Sequence, residues 1–197
     1  MKKYLVSTAV LPLCVGKEFF DYTGIIEAYK LLDMDGIELV FLPEWDSLHP
    51  PLTPTSADWS NTPKIKCSEL VDICIKNELP VPVVHINRDV GTMLCSDNKE
   101  AILEGQNVLN DNLLGASLLQ SEIAVLHMWD TYHKSIDLNK LFKKIYEVSG
   151  NYRIRIAIEN IPISDKKLTQ EKAWEFLYDV MPPEYDFTLV LNWCSLF

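Results

Sequence analysis

Glycine is scarce in this chain, which has seven glycines among 197 residues. The two glycine patterns that cradle nucleotide phosphates, GxGxxG and GxxxxGK[ST], are both absent. Long apolar runs are missing as well, since no stretch of about 18 uninterrupted apolar residues occurs. The sequence therefore disfavours a nucleotide-binding open sheet, and we expect no association with a membrane.

Positive charge is also in short supply. The chain has 18 Lys and Arg against 28 Asp and Glu, a formal net charge of −10, and its basic residues are scattered. A protein that binds nucleic acid needs clustered Lys and Arg to displace phosphate counterions. We therefore expect a small-molecule partner and no nucleic acid.

The cysteines do not form a pattern of their own. There are five, an odd number, and no CxxC pair occurs. Reduced thiols in a cytoplasmic protein are the simplest interpretation. Cys67 and Cys74 are seven residues apart in a helical pattern, so we expect both to pack as small apolar side chains.

Apolar, β-rich runs alternate with longer helical patterns along the whole chain. The predicted strands are Tyr4–Val10, Gly36–Leu42, Val81–Ile86, Glu122–Met128, Arg153–Glu159 and Phe187–Asn192. The predicted helices lie near Phe19–Leu32, Lys64–Asn77, Asp97–Leu114, Ile136–Val148 and Gln170–Met181, and Ser96 has the position of an N-cap. The order β(αβ)5 is typical of a parallel sheet covered by helices. Two architectures fit it, an open doubly wound sheet and an incomplete (β/α)8 barrel.

Four consecutive predicted strands finish with a polar side chain that could ligate a metal or transfer a proton. These residues are His85, His127, Glu159 and Asn192. Because side chains alternate across a strand, Glu159 lies on the face opposite Ile156 and Ile158, and the isoleucine face suits packing against helices. We therefore expect the four polar side chains to form a pocket at the C-terminal edge of the sheet, where barrel active sites are built.

The same strand ends carry a family resemblance. The segments GIELVF (36–41), VVHINRDVG (83–91), AVLHMWD (124–130) and IAIENIP (156–162) resemble the xylose-isomerase-like barrel superfamily, which includes sugar-phosphate isomerases and epimerases and nucleases of the endonuclease IV type. The resemblance implies an α/β, (β/α) TIM-barrel-like fold with about six of the eight β/α units. It implies one domain, 1–197, that lacks strands seven and eight.

The resemblance also assigns roles to these residues. Glu159 matches the family's metal-binding glutamate, which in the epimerases also moves a proton, and His85 and His127 match histidines that bind zinc or lie near the substrate. The implied catalytic residues are Glu159 and His127, and the implied metal ligands are Glu159, His127 and His85. Glu38 resembles the acid often seen on the second strand, where a structural role fits at least as well. A divalent cation held in this way would polarise a sugar oxygen so that a neighbouring base can move a proton.

One departure from the family pattern weakens the implied metal site. The family's sixth strand typically ends in Asp-x-x-His, whereas this chain has Asn192-Trp193-Cys194-Ser195. Neutral Asn replaces an anionic ligand and Ser replaces an imidazole. We therefore expect any divalent metal (Mn, Mg or Zn) to be held only weakly, with Glu159 as the required carboxylate.

Two aromatic segments could contact a sugar ring. The segment Pro43–Pro63 is far longer than the usual loop after a barrel strand and carries Trp45, which would form a specificity wall or simply cover the barrel. Trp129 follows His127 and could stack on a sugar. With His85 and Asn192, these tryptophans complete the predicted substrate-binding set.

Two classes of function follow from this pattern. The first is a sugar isomerase/epimerase-like barrel that acts on or binds a small sugar, polyol or sugar phosphate through a depleted metal site. The second is a degenerate, non-catalytic barrel that serves as a binding or interaction protein. Abasic-site cleavage is disfavoured by the net charge. Six strands cannot close an ordinary eight-stranded barrel, so we expect homo-oligomers formed through exposed strand edges, with a distorted closure or a marginally stable chain as the alternatives.

Overall fold

The described part of the chain contains one parallel sheet of six strands. The computed structural model describes residues 4–17, 21–41, 66–87, 90–127, 138–159 and 186–188, together with Glu175 and Asp179. The strands are β1 Leu5–Ser7, β2 Gly36–Val40, β3 Val83–His85, β4 Ile123–His127, β5 Arg155–Glu159 and β6 Asp186–Thr188. The helices are α1 Ile25–Leu31, α2 Cys67–Lys76, α3 Val90–Leu94, α4 Lys99–Leu118 and α5 Leu138–Ser149, with 3-10 turns at Leu11–Val15 and Tyr22–Gly24.

The strand order separates the two architectures that the sequence left open. The order in the sheet is β1-β2-β3-β4-β5-β6, and each strand pairs in parallel with its neighbour in the chain. A doubly wound sheet reverses its strand order at a switch point, whereas a (β/α) barrel adds each strand beside the last. The fold is therefore TIM-barrel-like, as predicted.

The core lies between the sheet and the helices. On β2, Ile37 and Leu39 are fully buried, and on β5 Ile156 and Ile158 are buried in the same cluster. Leucines of the helices pack against them, among them Leu113 of α4. The prediction that the isoleucine face of the fifth strand packs against helices is confirmed. The opposite face of the sheet carries polar side chains among small apolar ones such as Val125 and Ala157.

The first strand is shorter than predicted because its end is tied into a turn. Val10 N–H donates to Ser7 O at 3.1 Å, which bends the chain after Ser7. The wholly buried Thr8 then bridges to β2: its N–H donates to Glu38 O at 2.9 Å and its Oγ1 accepts from Val40 N–H at 2.9 Å. These bonds fix the C-terminal half of β2, where Glu38 lies.

Helix α4 differs from its predicted bounds at both ends. Its N-cap is Asn98, whose Oδ1 accepts from Glu100 N–H at 2.8 Å, so the prediction of Ser96 as N-cap is wrong; Ser96 Oγ accepts from Asn98 N–H instead. The helix passes through Gly115 and ends at Leu118 rather than Leu114. A Cβ at Gly115 would lie 2.9 Å from Val71 Cγ2, so glycine is needed there for close packing of α4 on α2.

Other parts of the prediction differ in extent. The first helix begins at Ile25 because Tyr22–Gly24 forms a 3-10 turn, and the short helix α3 was not predicted. Glu175 and Asp179, which are helical, fall within the helix predicted at Gln170–Met181, and the rest of that helix lies outside the described residues. That residues 1–197 form a single domain stays a prediction.

No disulfide bond forms within the described segments, which contain Cys14, Cys67, Cys74 and Cys95. Cys74 is fully buried in the core, and this burial raises its pKa to about 12. Cys67 is partly buried and packs against the same core, as its helical spacing predicted. Among the helices that the structure describes, none has the length and apolar character needed to cross a membrane.

Candidate functional site

Three polar side chains from β2, β3 and β5 meet on the face of the sheet that turns away from the helices. They are Glu38, His85 and Glu159, and each alternates with buried apolar residues that point to the helical side. Glu38 lies between the fully buried Ile37 and Leu39, and Glu159 follows the fully buried Ile158. The alternation of each strand therefore delivers these polar groups to one surface.

His85 lies between the two carboxylates and contacts both. Its Nδ1 is 3.2 Å from Glu38 Oε1, and its Nε2 is 3.2 Å from Glu159 Oε2. The Glu159 side chain is 5% exposed, that of His85 17% and that of Glu38 25%. The three residues, here called the carboxylate–histidine cluster, thus range from a nearly buried end at Glu159 to a partly open end at Glu38.

The stagger of the strands explains why these three side chains meet. Glu38 pairs with Val83, two residues before His85. His85 pairs with Val125 of β4, and Val125 pairs with Ala157 of β5. Ala157 lies two residues before Glu159. The cluster is therefore a diagonal across the ladder, and the tilt of strands in a barrel brings such a diagonal to one level.

The surroundings of His85 favour its protonated form. Burial is the largest single influence and lowers its pKa, but the hydrogen bonds and charges of Glu159 and Glu38 together outweigh it and raise the pKa to about 9. A ring that carries protons on both nitrogens donates to both carboxylates. At neutral pH the cluster therefore holds a cation between two acids.

A buried amide supports the loop that follows β3. Asn112 of α4 is 3% exposed, and its Oδ1 accepts from Asn87 N–H at 2.8 Å. Asn87 lies two residues after His85 and is equally buried. This bond ties the end of β3 to a long helix, so it limits the movement of His85.

The predicted site residues fall into three groups. His85 and Glu159 are brought together by the structure. His127 ends β4 and pairs in register with Glu159, but its side chain lies outside the described part of the structure. Asn192, Trp45 and Trp129 lie outside the described residues altogether. The catalytic, substrate-binding and metal-binding roles given to all six residues stay predictions.

The sequence interpretation did not place Glu38 in contact with His85. A signal was present, because Glu38 is the single charged residue in the apolar run GIELVF. Alternation along the strand places it on the face opposite Ile37 and Leu39. Parity alone assigns a face, however, and the contact depends on the offset between β2 and β3.

Of the metal ligands that the resemblance implies, the structure describes the side chains of His85 and Glu159. The His85 Nε2 and Glu159 Oε2 atoms are 3.2 Å apart, a separation that two ligands of one metal ion can also have, so the implied metal site stays a prediction. The two carboxylates lie at different edges of the ring. Among the residues that the structure describes, no group of three or more His, Cys, Asp or Glu side chains could hold a metal ion.

A separate cavity of about 270 Å³ lies on the helical side of the sheet, between α2 and α4. Its lining includes Cys67, Val71, Leu114 and Leu118. It contains no member of the carboxylate–histidine cluster. The carboxylate–histidine cluster, where ionisable side chains from three strands meet, is the candidate functional site, and this cavity is not.

Comparison with known proteins supports the fold. No protein-family model and no curated protein matches the chain. A D-tagatose 3-epimerase-like protein of known structure is 22% identical, with a TM-score of 0.58, over 98% of this chain and 66% of that one. A D-allulose 3-epimerase from Methylomonas sp. in complex with D-allulose is 14% identical, with a TM-score of 0.58, over 95% and 62%. A xylose isomerase domain protein from Planctomyces limnophilus is 14% identical, with a TM-score of 0.51, over 96% and 64%.

These matches agree on one class of fold. The chain has a TIM-barrel-like fold, similar to the folds of the epimerase-like protein and the xylose isomerase domain protein named above. It spans less than two thirds of the length of the structures named above. At identities of 22% or less, the likeness establishes the fold alone and leaves activity to be argued from the site.

Proposed function

We propose that this chain is a sugar isomerase/epimerase-like protein that binds a small sugar, polyol or sugar phosphate over the carboxylate–histidine cluster. The observation that carries the proposal is the convergence of Glu38 and Glu159 on His85, at 3.2 Å each. The cluster lies on three strands of a barrel-like sheet, and barrel enzymes build their active sites at the C-terminal ends of such strands. Carboxylate oxygens are acceptors well suited to the hydroxyl groups of a sugar.

The proposed chemistry is proton transfer at a carbon next to a carbonyl group. Glu159 is the proposed base, because it is the last residue of β5 and is held by the hydrogen bond with His85. His85 would keep the Glu159 carboxylate oriented through Nε2 while its Nδ1 is held by Glu38. A positioned acid or base of this kind accelerates proton transfer by about 10² to 10⁴. No step of this proposal passes through a metal ion.

The remaining predicted residues complete the proposal. His127, in register with Glu159 at the end of β4, would add a second imidazole to the pocket. Trp45, Trp129 and Asn192 stay proposed substrate contacts. The sugar epimerase names of several similar structures support a sugar-like ligand, although those names describe the other proteins.

The test combines binding with isotope exchange. A panel of ketoses, polyols and ketose phosphates would be screened by thermal shift, and ligands that bind would be incubated with the protein in D₂O and followed by proton NMR. Exchange of the proton next to the carbonyl is expected with the natural protein. The variant Glu159→Gln should reduce the exchange rate by at least about 100-fold, because amide nitrogen and oxygen cannot act as the base.

The control is Glu104→Gln, which makes the same chemical change on the exposed face of α4. It should leave both binding and exchange unchanged. Binding that is lost in Glu38→Gln or Glu159→Gln, with no exchange in the natural protein, would favour the non-catalytic binding alternative. Absence of binding across the whole panel would contradict the proposal.

A further inference from the structure

Thr8 is a buried polar residue to which the proposed function gives no role. It follows the last residue of β1 and is wholly buried. A buried hydroxyl group is costly unless it is hydrogen-bonded. Thr8 Oγ1 accepts from Val40 N–H at 2.9 Å, and Thr8 N–H donates to Glu38 O at 2.9 Å. Thr8 is therefore bonded to β2 on both sides of Leu39.

These two bonds continue the pairing of β1 with β2 in a modified form. In a parallel ladder, one residue donates its N–H to a carbonyl of the neighbouring strand and accepts, through its own carbonyl, from an N–H two residues further along. Because the chain turns after Ser7, the Thr8 hydroxyl takes the place of that carbonyl as the acceptor for Val40 N–H. The contact therefore extends to the end of β2 although β1 itself ends at Ser7.

The segment of β2 that Thr8 holds is the one that meets His85. Val40 is the register partner of His85, and Phe41 N–H donates to His85 O at 2.9 Å. Glu38 lies two residues before Val40, and its Oε1 is 3.2 Å from His85 Nδ1. This segment is therefore bonded to Thr8 on one edge and to His85 on the other. A shift of the segment would move the Glu38 carboxylate relative to the ring.

We propose that Thr8 is a positioning residue for the carboxylate–histidine cluster: its hydroxyl group holds β2 at the height at which Glu38 contacts His85 Nδ1. This role at a ligand site rests on the proposed function, but the test uses the protein without any sugar, so the two can fail separately. The role is the same whatever His85 Nε2 contacts, because only the Nδ1 side of the ring takes part.

The test compares variants that separate the hydroxyl group of Thr8 from its methyl group. Thr8→Val removes the hydroxyl and keeps the branched shape, whereas Thr8→Ser keeps the hydroxyl and removes the methyl. Ser121→Ala is the matched control, because Ser121 is 6% exposed and its Oγ also bonds to the backbone, donating to Val81 O at 2.7 Å. Both of these residues precede their strands, whereas His85 ends β3.

Two NMR measurements on ¹⁵N-labelled protein report the bond and its consequence. The first is hydrogen exchange at the Val40 amide, which reports the bond to the Thr8 hydroxyl. The second is the Nδ1 proton signal of His85, which is assigned by its absence from His85→Gln. Since a carboxylate oxygen only accepts, Nδ1 carries the proton of the contact with Glu38, and this signal reports that contact directly.

Thr8→Val is expected to change both measurements. Hydrogen exchange at Val40 should become at least about tenfold faster, because the amide loses its acceptor, and the Nδ1 proton signal should move upfield as the contact with Glu38 weakens. Thr8→Ser and Ser121→Ala should match the natural protein in both. Absence of the Nδ1 proton signal from the natural protein would show that the contact is not formed, and would overturn the proposal.

Other outcomes would also overturn it. Faster exchange at Val40 with an unchanged Nδ1 signal would show that Thr8 only stabilises the strand. A displaced signal without faster exchange would show that Thr8 does not act through Val40. A displaced signal in Thr8→Ser or Ser121→Ala would show that the effect does not belong to the Thr8 hydroxyl.

A further variant and a measurement on the natural protein cover the case in which Thr8→Val does not fold. Thr8→Ala also lacks the hydroxyl and should give the same two changes. In the natural protein, the Val40 amide should exchange within about tenfold of the rate at Ile37, whose N–H donates to Pro80 O at 2.9 Å in the same strand. Complete exchange at Val40 before exchange at Ile37 begins would contradict the bond to Thr8, and with it the proposal.

Discussion

The position of His85 between two carboxylates predicts that the folded protein loses stability as the pH rises above neutral. Burial lowers the pKa of His85, but the hydrogen bonds and charges of Glu159 and Glu38 raise it to about 9. In an unfolded chain a histidine has a pKa of about 6.5. Between these two values the folded state holds a proton that the unfolded state has lost. The stabilisation is therefore complete below about pH 6.5 and is lost as the pH rises to about 9.

The size of the effect follows from the same two values. The difference between about 9 and about 6.5, at about 1.4 kcal/mol for each pH unit, corresponds to about 3 kcal/mol. Solvent screening reduces this stabilising free energy only modestly, since the His85 side chain is 17% exposed. A domain of this kind has a free energy of unfolding of about 5–15 kcal/mol, so the loss would be a large fraction of the total.

The assay is urea unfolding of the natural protein and of His85→Gln at intervals between about pH 6 and about pH 9. Chelator in every buffer removes divalent ions. The other histidines are present in both proteins, so the difference between the two profiles isolates His85. The natural protein should lose stability across this interval relative to the variant. Parallel profiles would refute the reasoning and would mean that His85 is neutral in the folded protein near pH 7.

Three further predictions concern packing, polar support and assembly. Gly115→Val should lower the free energy of unfolding by about 1–3 kcal/mol, because a Cβ at that position would lie 2.9 Å from Val71 Cγ2. The control is Ser117→Val, at an exposed position of the same helix. Equal urea midpoints for the two variants would contradict the close contact. Asn112→Ala should lower the free energy of unfolding by about 1–3 kcal/mol, because it removes the Oδ1 that accepts from the buried Asn87 N–H. Faster hydrogen exchange at the Asn87 amide would show that the effect arises there. Within the described residues, β1 pairs with β2 alone and β6 with β5 alone, so we expect self-association through these edges in sedimentation at micromolar concentration; a monomer there would rule this out.

Several features of the protein could be predicted from the sequence because they depend on local pattern. Each of the six predicted strands contains an observed strand or most of one, since alternating apolar residues specify a pleated surface whatever lies beside it. The strand ends at His85 and Glu159 could be located in the same way. The fold class followed from the alternation of strands and helices and from the segments that resemble a known superfamily.

Other features depend on contacts between distant parts of the chain. The sequential strand order, which separates a barrel from a doubly wound sheet, is set by which strands pair, and periodicity within one strand carries no information about its neighbour. The passage of α4 through Gly115 depends on the packing of that helix on α2.

The sequence by itself determined that His85 and Glu159 are polar side chains on the same face at the ends of two strands. Only the tertiary structure decided that they touch, and that Glu38 completes the cluster on the other side of the ring. The reason is geometric. Alternation fixes the face of each side chain, but its height in the sheet depends on the offset between strands, and here that offset places residues from β2, β3 and β5 on one diagonal.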